Sequence, residues 1–464
     1  MFFDPVIELH EYEGMIPQEG DVLEIDYSYY LYGVMIRRLF IIAVLLISAM
    51  HPALSQTGTW SGKQDLQGRR LSIVFHLDEE NPVMDSPDQG AYGIPIQFER
   101  SGTGVLTVRI PSLGATFEGV FFLKQIVGTF KQMGVSLPLT LTPGDDRPAR
   151  PQTPQGPFPY SEEEISFTNG DITLNGTLIL PEGCTRETPV VLMITGSGQQ
   201  NRDEEIFEHK PFAVIADVLA RAGIASLRYD DRGFGDKSLN PLQWTTKDYM
   251  DDAMSGIGFL RERFDNVGLI GHSEGGTIAM MLAADNQVDF IVSLAGMVIS
   301  GAETLIWQNR MSLSEAGFPH AVTDTYCKLL ETAFEAAVNG GTMPDTDFYE
   351  LPDALKQNYQ AVLAQIRLPY MRYFLTLDVR PVLDRISCPV LALNGTKDIQ
   401  VEHTANLNPL RTALPSGNVI EEIDGVNHLF QHCMSGAVTE YRTIEETIAP
   451  EVLEKMTVWI NQIK

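Results

Sequence analysis

Cysteine is scarce in this 464-residue chain, with four residues, Cys184, Cys327, Cys388 and Cys433, and no C-x-x-C pair among them. That spacing argues against a structural zinc site or a dense disulfide framework, and leaves open whether a single disulfide forms. Basic residues are also few: 33 Lys and Arg stand against 61 Asp and Glu, for a formal net charge of -28. Nucleic acid or an anionic membrane surface would need a basic face, and none is visible, so neither is expected as a partner. A well-solvated acidic surface is the plain reading of the charge. Long apolar runs are missing as well. The most apolar stretch, Leu39 to Ile47, is short for a bilayer span.

That stretch follows Arg37 and Arg38 and leads to Ala53, Leu54 and Ser55 before Gln56. A basic start, a short apolar core and small residues at the cut are the parts of a secretory signal peptide, here over 35–55. The competing reading is a single membrane anchor. With the signal removed, the mature chain begins near Gln56, outside the cytoplasm and without stable membrane association. Residues 1–34 carry eight acidic side chains and no Lys or Arg, which no signal peptide opens with. They read as a start assigned too early, with Met35 as the first residue. Dropping them takes the formal charge from -28 to -20 and leaves the acidic conclusion intact.

The length calls for two or more domains. Residues 57–142 show short alternating strands, Leu71–Leu77, Ile94–Phe98, Gly104–Ile110, Ala115–Phe121 and Ile126–Phe130, broken by Gly, Pro and Asp. Even spacing of that kind suggests a small all-β barrel or sandwich, with Trp60, Phe75, Phe117 and Phe130 inside. Six prolines between Pro143 and Pro159 give 143–160 a linker composition. From residue 161 to 464 apolar strands alternate with helical stretches. The strands are Val190–Ile194, Ala225–Tyr229, Val267–Ile270, Phe290–Leu294 and Val390–Leu393; the helices are Ile206–Ala222, Asp248–Arg263 and Gly275–Ala284. That alternation predicts an α/β domain with a mostly parallel sheet. Residues 297–385 interrupt it with helices such as Thr323–Asn339 and Asp353–Gln365, a helical cap expected over the sheet edge.

The chemistry concentrates at Gly271, His272, Ser273, Glu274, Gly275, where a buried strand gives way to a small-residue helix. G-x-S-x-G in that context is a nucleophile elbow: the turn exposes the serine, and the glycines remove side chains that would clash. A serine hydroxyl needs a base, and the base needs a buried acid to orient it. Asp398 follows the strand Val390–Leu393, and His428 follows the apolar segment Val419–Ile423, so the order Ser, Asp, His is met. Rivals are His403 and His432 for the base and Asp424 for the acid. His272 reads as a packing residue. An oxyanion hole needs two amides; Glu274, next to the nucleophile, supplies one, and Ser197 in the turn Gly196, Ser197, Gly198 after Met193 and Ile194 the other. That turn lacks the Gly-Lys-Ser/Thr ending of a phosphate-binding loop.

These residues bring 161–464 close to a known family. Gly196, Ser197, Gly198 followed by Arg202 and Asp203, the loop from Tyr229 to Gly235, and the G-H-S-E-G-G elbow together resemble the α/β-hydrolases. Within these they look like the serine aminopeptidase-like bacterial carboxylesterases. Gln200 and Asn201 depart from the Pro-Gln spelling of that oxyanion loop. The resemblance implies acyl-enzyme chemistry on small-acyl carboxylic esters, with no metal or organic cofactor. It also implies a structural role for Arg202, Asp203, Asp231 and Arg232. The β-rich segment is similar to modules that precede such hydrolases in Bacteroidetes-like bacteria, which implies a periplasmic or secreted protein. An aminopeptidase or amidase would use the same triad, and a binding protein with a degenerate hydrolase domain is the reading from another class. Oligomeric state is left open.

Overall fold

The computed structural model describes residues 58–463, apart from Gln67, Gly68, Glu79, Gly90, Thr103, Asp146, Lys237, Asp347 and Phe348. The export signal expected at 35–55 and the segment 1–34 lie outside the described residues. The chain divides into two compact units, Met1–Asp146 and Arg147–Lys464.

The first unit is a nine-stranded sheet: β1 (Gly58–Leu66), β2 (Arg69–Leu77), β3 (Val83–Ser86), β4 (Ala91–Pro95), β5 (Gln97–Arg100), β6 (Val105–Ile110), β7 (Ala115–Phe122), β8 (Gln125–Gln132) and β9 (Val135–Pro143). Its order, β4-β3-β2-β1-β9-β8-β7-β6-β5, puts the sequence neighbours β4 and β5 at opposite ends, so the sheet is a nearly closed barrel. The segment read as one strand, Ile94–Phe98, is two, broken at Ile96, and that break is where the sheet fails to close. Trp60, Phe75, Phe117 and Phe130 are all buried inside, with Phe75 and Phe117 ring centroids 5.6 Å apart. Where β1 crosses β9 the backbones nearly touch: a Cβ at Gly62 would stand 2.2 Å from the Thr140 carbonyl oxygen.

The second unit takes in most of the Pro-rich stretch. Pro143 ends β9, while residues from Arg147 onward are fastened to the second unit. The Arg150 guanidinium donates to the carbonyls of Phe207, Arg442 and Ile444, and Gln152 donates to the carbonyl of Ile448 at 2.7 Å. Arginine and glutamine thus satisfy backbone groups that no strand reaches.

Here the sheet has eight strands: β10 (Ser161–Asn169), β11 (Ile172–Leu180), β12 (Val190–Ile194), β13 (Ala225–Tyr229), β14 (Val267–His272), β15 (Phe290–Leu294), β16 (Val390–Gly395) and β17 (Val419–Ile423). The order is β10-β11-β13-β12-β14-β15-β16-β17; β10 and β11 pair antiparallel, and β13 to β17 run parallel. Both faces are covered. Helices α1 (Pro211–Arg221) and α10 (Pro450–Gln462) pack on one face, and α2 (Thr246–Arg261), α3 (Glu274–Ala284) and α8 (His403–Ala413) on the other. Every residue of β12, β13, β14, β15 and β16 is therefore buried, as doubly covered parallel strands require. Helix α1 starts at Pro211 rather than Ile206, because proline is pre-set for a first helical turn and Phe207 and Glu208 hold positive φ. The chain leaves β12 to one side for β13 and to the other for β14. That reversal is the switch point at which open α/β sheets form their sites.

Between β15 and β16 four helices make the cap: α4 (Gly301–Glu315), α5 (His320–Asn339), α6 (Asp353–Gln365) and α7 (Pro369–Thr376). They share a small core of their own around Tyr326, Leu330, Phe334 and Tyr359. Helices α4 and α7 reach over the carboxyl ends of β12 and β14, where their side chains face the elbow serine across one cavity. The short α9 (Val438–Tyr441) precedes α10.

Candidate active site

Ser273 stands between β14 and α3 with φ 53° and ψ -119°, a conformation that costs a non-glycine residue energy. The surroundings enforce it. A Cβ at Gly271 would lie 2.1 Å from the Gly275 carbonyl oxygen, and one at Gly275 would lie 2.1 Å from that of Ile194. Only glycine lets the strand, the turn and the neighbouring β12 approach this closely.

Asp398 lies on the loop after β16 and is 3% exposed. Its Oδ1 accepts the amides of Gln400 and Val401 at 2.8 and 2.9 Å, and its Oδ2 is 2.7 Å from His428 Nδ1. That contact fixes the His428 ring and leaves Nε2 as the other ring nitrogen. His428 and Ser273 line the same cavity, of about 310 Å³. The rivals go elsewhere. His432 pairs with Glu446 and Glu451 on the surface, His403 sits beside Glu402 and Glu422, and exposed Asp424 takes the Thr396 hydroxyl.

The loop after β12 brings Gly196 and Ser197 to the same cavity. The Gly196 amide is spent on Glu204 Oε1 at 2.7 Å, so Ser197 is the next donor along the loop. Glu274, whose amide follows the nucleophile, is buried; its carboxylate accepts the Thr246 hydroxyl at 2.6 Å and the Tyr370 hydroxyl at 2.5 Å. Burial, and then the Glu274 charge, push the Tyr370 hydroxyl well above the ordinary tyrosine value. A cap residue thereby holds the carboxylate of Glu274, one of the two candidate oxyanion residues. Tyr370 and Phe374 from the cap line the cavity, whereas Trp307 does not. Only the fold brings these cap residues to the serine.

The loop charges form a frame. Arg202 pairs with Asp230 at 2.6 Å and Glu164 at 2.7 Å, Arg228 with Asp203, and Arg232 with Asp252 at 2.7 Å. Asp231 accepts the Gln200 amide and the Thr195 hydroxyl; burial pushes its carboxyl well above the usual range. All four cysteines are free thiols. Among the described residues no group of three His, Cys, Asp or Glu is placed to hold a metal ion, and no helix is long and apolar enough to cross a membrane.

Residues 191–440, more than half of the chain, match the model of the alpha/beta hydrolase family. The protein belongs to that family. Esterase EstD of Thermotoga maritima is 35% identical over 136 residues, 28% of this chain and 32% of that protein, so the match spans about a third of its relative. Among solved structures, Est1E from Butyrivibrio proteoclasticus aligns at 18% identity and a TM-score of 0.39, over 65% of this chain and 98% of that one. Proline iminopeptidase from Mycobacterium smegmatis aligns at 14% identity and a TM-score of 0.42, again over 65% and 98%.

Proposed function

We propose that the protein is a serine-dependent carboxylic ester hydrolase that works through an acyl-enzyme. The observation that carries this reading is the 2.7 Å contact of His428 with buried Asp398, on a histidine that shares its cavity with a strained elbow serine. Ser273 Oγ attacks the ester carbonyl carbon as His428 Nε2 takes its proton, and Asp398 stabilises the imidazolium. The carbonyl oxygen becomes an oxyanion held by the amides of Ser197 and Glu274. Collapse breaks the ester C–O bond, and His428 returns the proton to the leaving alcohol. Water, deprotonated by the same histidine, then releases the acid and restores Ser273. The esterase named among the relatives supports the choice of substrate class. The cavity, about 310 Å³ with Met297, Leu305, Met371, Phe374 and Leu429 on its walls, suits a small acyl group.

A panel of p-nitrophenyl acyl esters and aminoacyl anilides, with Ser273→Ala as control, tests the reading. Short-chain esters are expected to turn over and the variant to be inactive. Equal turnover by Ser273→Ala removes the serine mechanism, and faster cleavage of anilides than esters replaces the esterase with an amidase. Export to the periplasm or beyond is part of the same proposal, checked by locating the amino terminus of the mature protein in a cell fractionation.

A further inference from the structure

The cavity that holds Ser273 is also lined by a second histidine–carboxylate pair, which the reaction above does not use. Glu204 and His272 are 3% and 7% exposed. Glu204 Oε1 accepts the Gly196 amide at 2.7 Å and lies 2.9 Å from His272 Nδ1. His272 Nε2 lies 2.9 Å from the carbonyl oxygen of His428, and the two imidazole rings are 4.7 Å apart between centroids. One pair of side chains thus joins three loops: the oxyanion turn after β12, the elbow after β14 and the base loop after β17.

The proton count follows from the partners. Both neighbours of His272 are oxygens, one of a carboxylate and one of a carbonyl, and while Glu204 is ionised neither has a proton to give. A neutral imidazole has one N–H and one lone pair, so one of its nitrogens would meet an oxygen lone pair to lone pair. A proton on each nitrogen satisfies both contacts. Glu204 Oε2 is buried with no hydrogen-bond partner, and no Lys or Arg pairs with Glu204 among the described residues, so His272 is the cation that balances it. Burial opposes charge on His272. The charge and hydrogen bond of Glu204, the His428 carbonyl and the charge of Asp398 outweigh it and hold the ring above the ordinary histidine value. Glu204 keeps a positive φ of 53°, a strained backbone retained where this pair is built.

We propose that Glu204 and doubly protonated His272 are positioning residues that hold the oxyanion turn and the base loop in register with Ser273. The proposal rests on the serine-hydrolase reading above. The groups facing His272 are Glu204 from the oxyanion turn, His428 from the base loop and, through its charge, Asp398 from the loop after β16. When alkaline pH removes the second proton, His272 can no longer donate to both loops. Turnover then declines although Ser273, Asp398 and His428 are chemically unchanged.

The test combines kinetics with a proton count on the full chain. Ring nitrogen-15 shifts of His272, assigned by difference against His272→Gln in a Ser273→Ala background, are expected to report two protonated nitrogens at neutral pH. Glu204→Gln still offers an acceptor to the Gly196 amide but carries no charge. It should lower the pH at which His272 loses its proton by about one unit or more, a tenfold change in that equilibrium. The alkaline limb of kcat should move down with it while KM changes little. A neutral His272 ring at neutral pH, or an alkaline limb that stays in place in Glu204→Gln, overturns the proposal. If Glu204→Gln does not fold, the proton count on the Ser273→Ala protein decides alone. Failure of the parent reading is separate: it shows as undiminished turnover by Ser273→Ala, whatever the His272 spectrum reports.

Discussion

His209, a histidine outside the proposed triad, makes the fold acid-sensitive. Its ring is wholly buried; Nε2 lies 2.9 Å from the Tyr441 carbonyl and 3.0 Å from Gln431 Nε2, and Nδ1 lies 3.0 Å from the Thr447 hydroxyl. A neutral ring with its N–H on Nε2 gives that N–H to the Tyr441 carbonyl and accepts the Thr447 hydroxyl at Nδ1, while the Gln431 amide donates to the Glu446 carbonyl rather than to the protonated Nε2. Burial, the largest influence, and the nearby Arg150 charge lower His209 from 6.5 to about 4, against the pull of the Tyr441 and Ile444 carbonyls. The folded value lies below the unfolded one, so between them the unfolded chain binds more protons. The stability contributed by the neutral ring is complete above the unfolded value and is lost as pH falls through that window. A gap of this width corresponds to about 3 kcal/mol, a sizeable share of the ~5–15 kcal/mol that holds a domain together. Urea unfolding at about pH 7, 5.5 and 4 measures it, with His209→Gln beside the wild type. The variant starts less stable at neutral pH and should lose about 3 kcal/mol less on acidification. Equal pH dependence in the two proteins would refute the reasoning.

Asp398→Asn should fold normally by thermal melting yet lose about 10⁴-fold in kcat, because the amide no longer fixes the His428 tautomer or stabilises its charge. Tyr370→Phe removes the donor to Glu274 Oε2 and should lower kcat about tenfold with KM nearly unchanged, since the loss falls on the residue whose amide is the proposed oxyanion donor. Steady-state kinetics separates the two parameters, and a rise in KM alone would count against that role. Asp252→Leu strips buried Arg232 of its main counter-charge and should cost about 3–5 kcal/mol by urea unfolding.

The reach of the sequence varied with burial. β12 and β14 were legible because both of their faces are covered, so nearly every residue is apolar and the run stands out. β10, with Glu162, Glu163 and Glu164 on a largely exposed edge, carried no such signal, and neither did β3 with four residues. The nine-stranded barrel was read from five segments because β1 and β9 mix polar residues and a proline into their exposed face. In the cap, α5 and α6 were visible as long periodic stretches, whereas α4 and the eight-residue α7 were not.

By itself the sequence determined the elbow, because glycine at 271 and 275 flanking a serine after an apolar strand is a local requirement of backbone geometry. It also determined the order Ser273, Asp398, His428. The choice among rival residues was tertiary: His428 faces Asp398 while His432 faces surface glutamates, a difference of loop path that composition does not encode. Tertiary structure alone decided that Glu204 reaches His272 across 68 positions of the chain and that Tyr370 descends from the cap onto Glu274. Such contacts depend on where a sheet reverses and how an insertion folds back, and these are properties of packing.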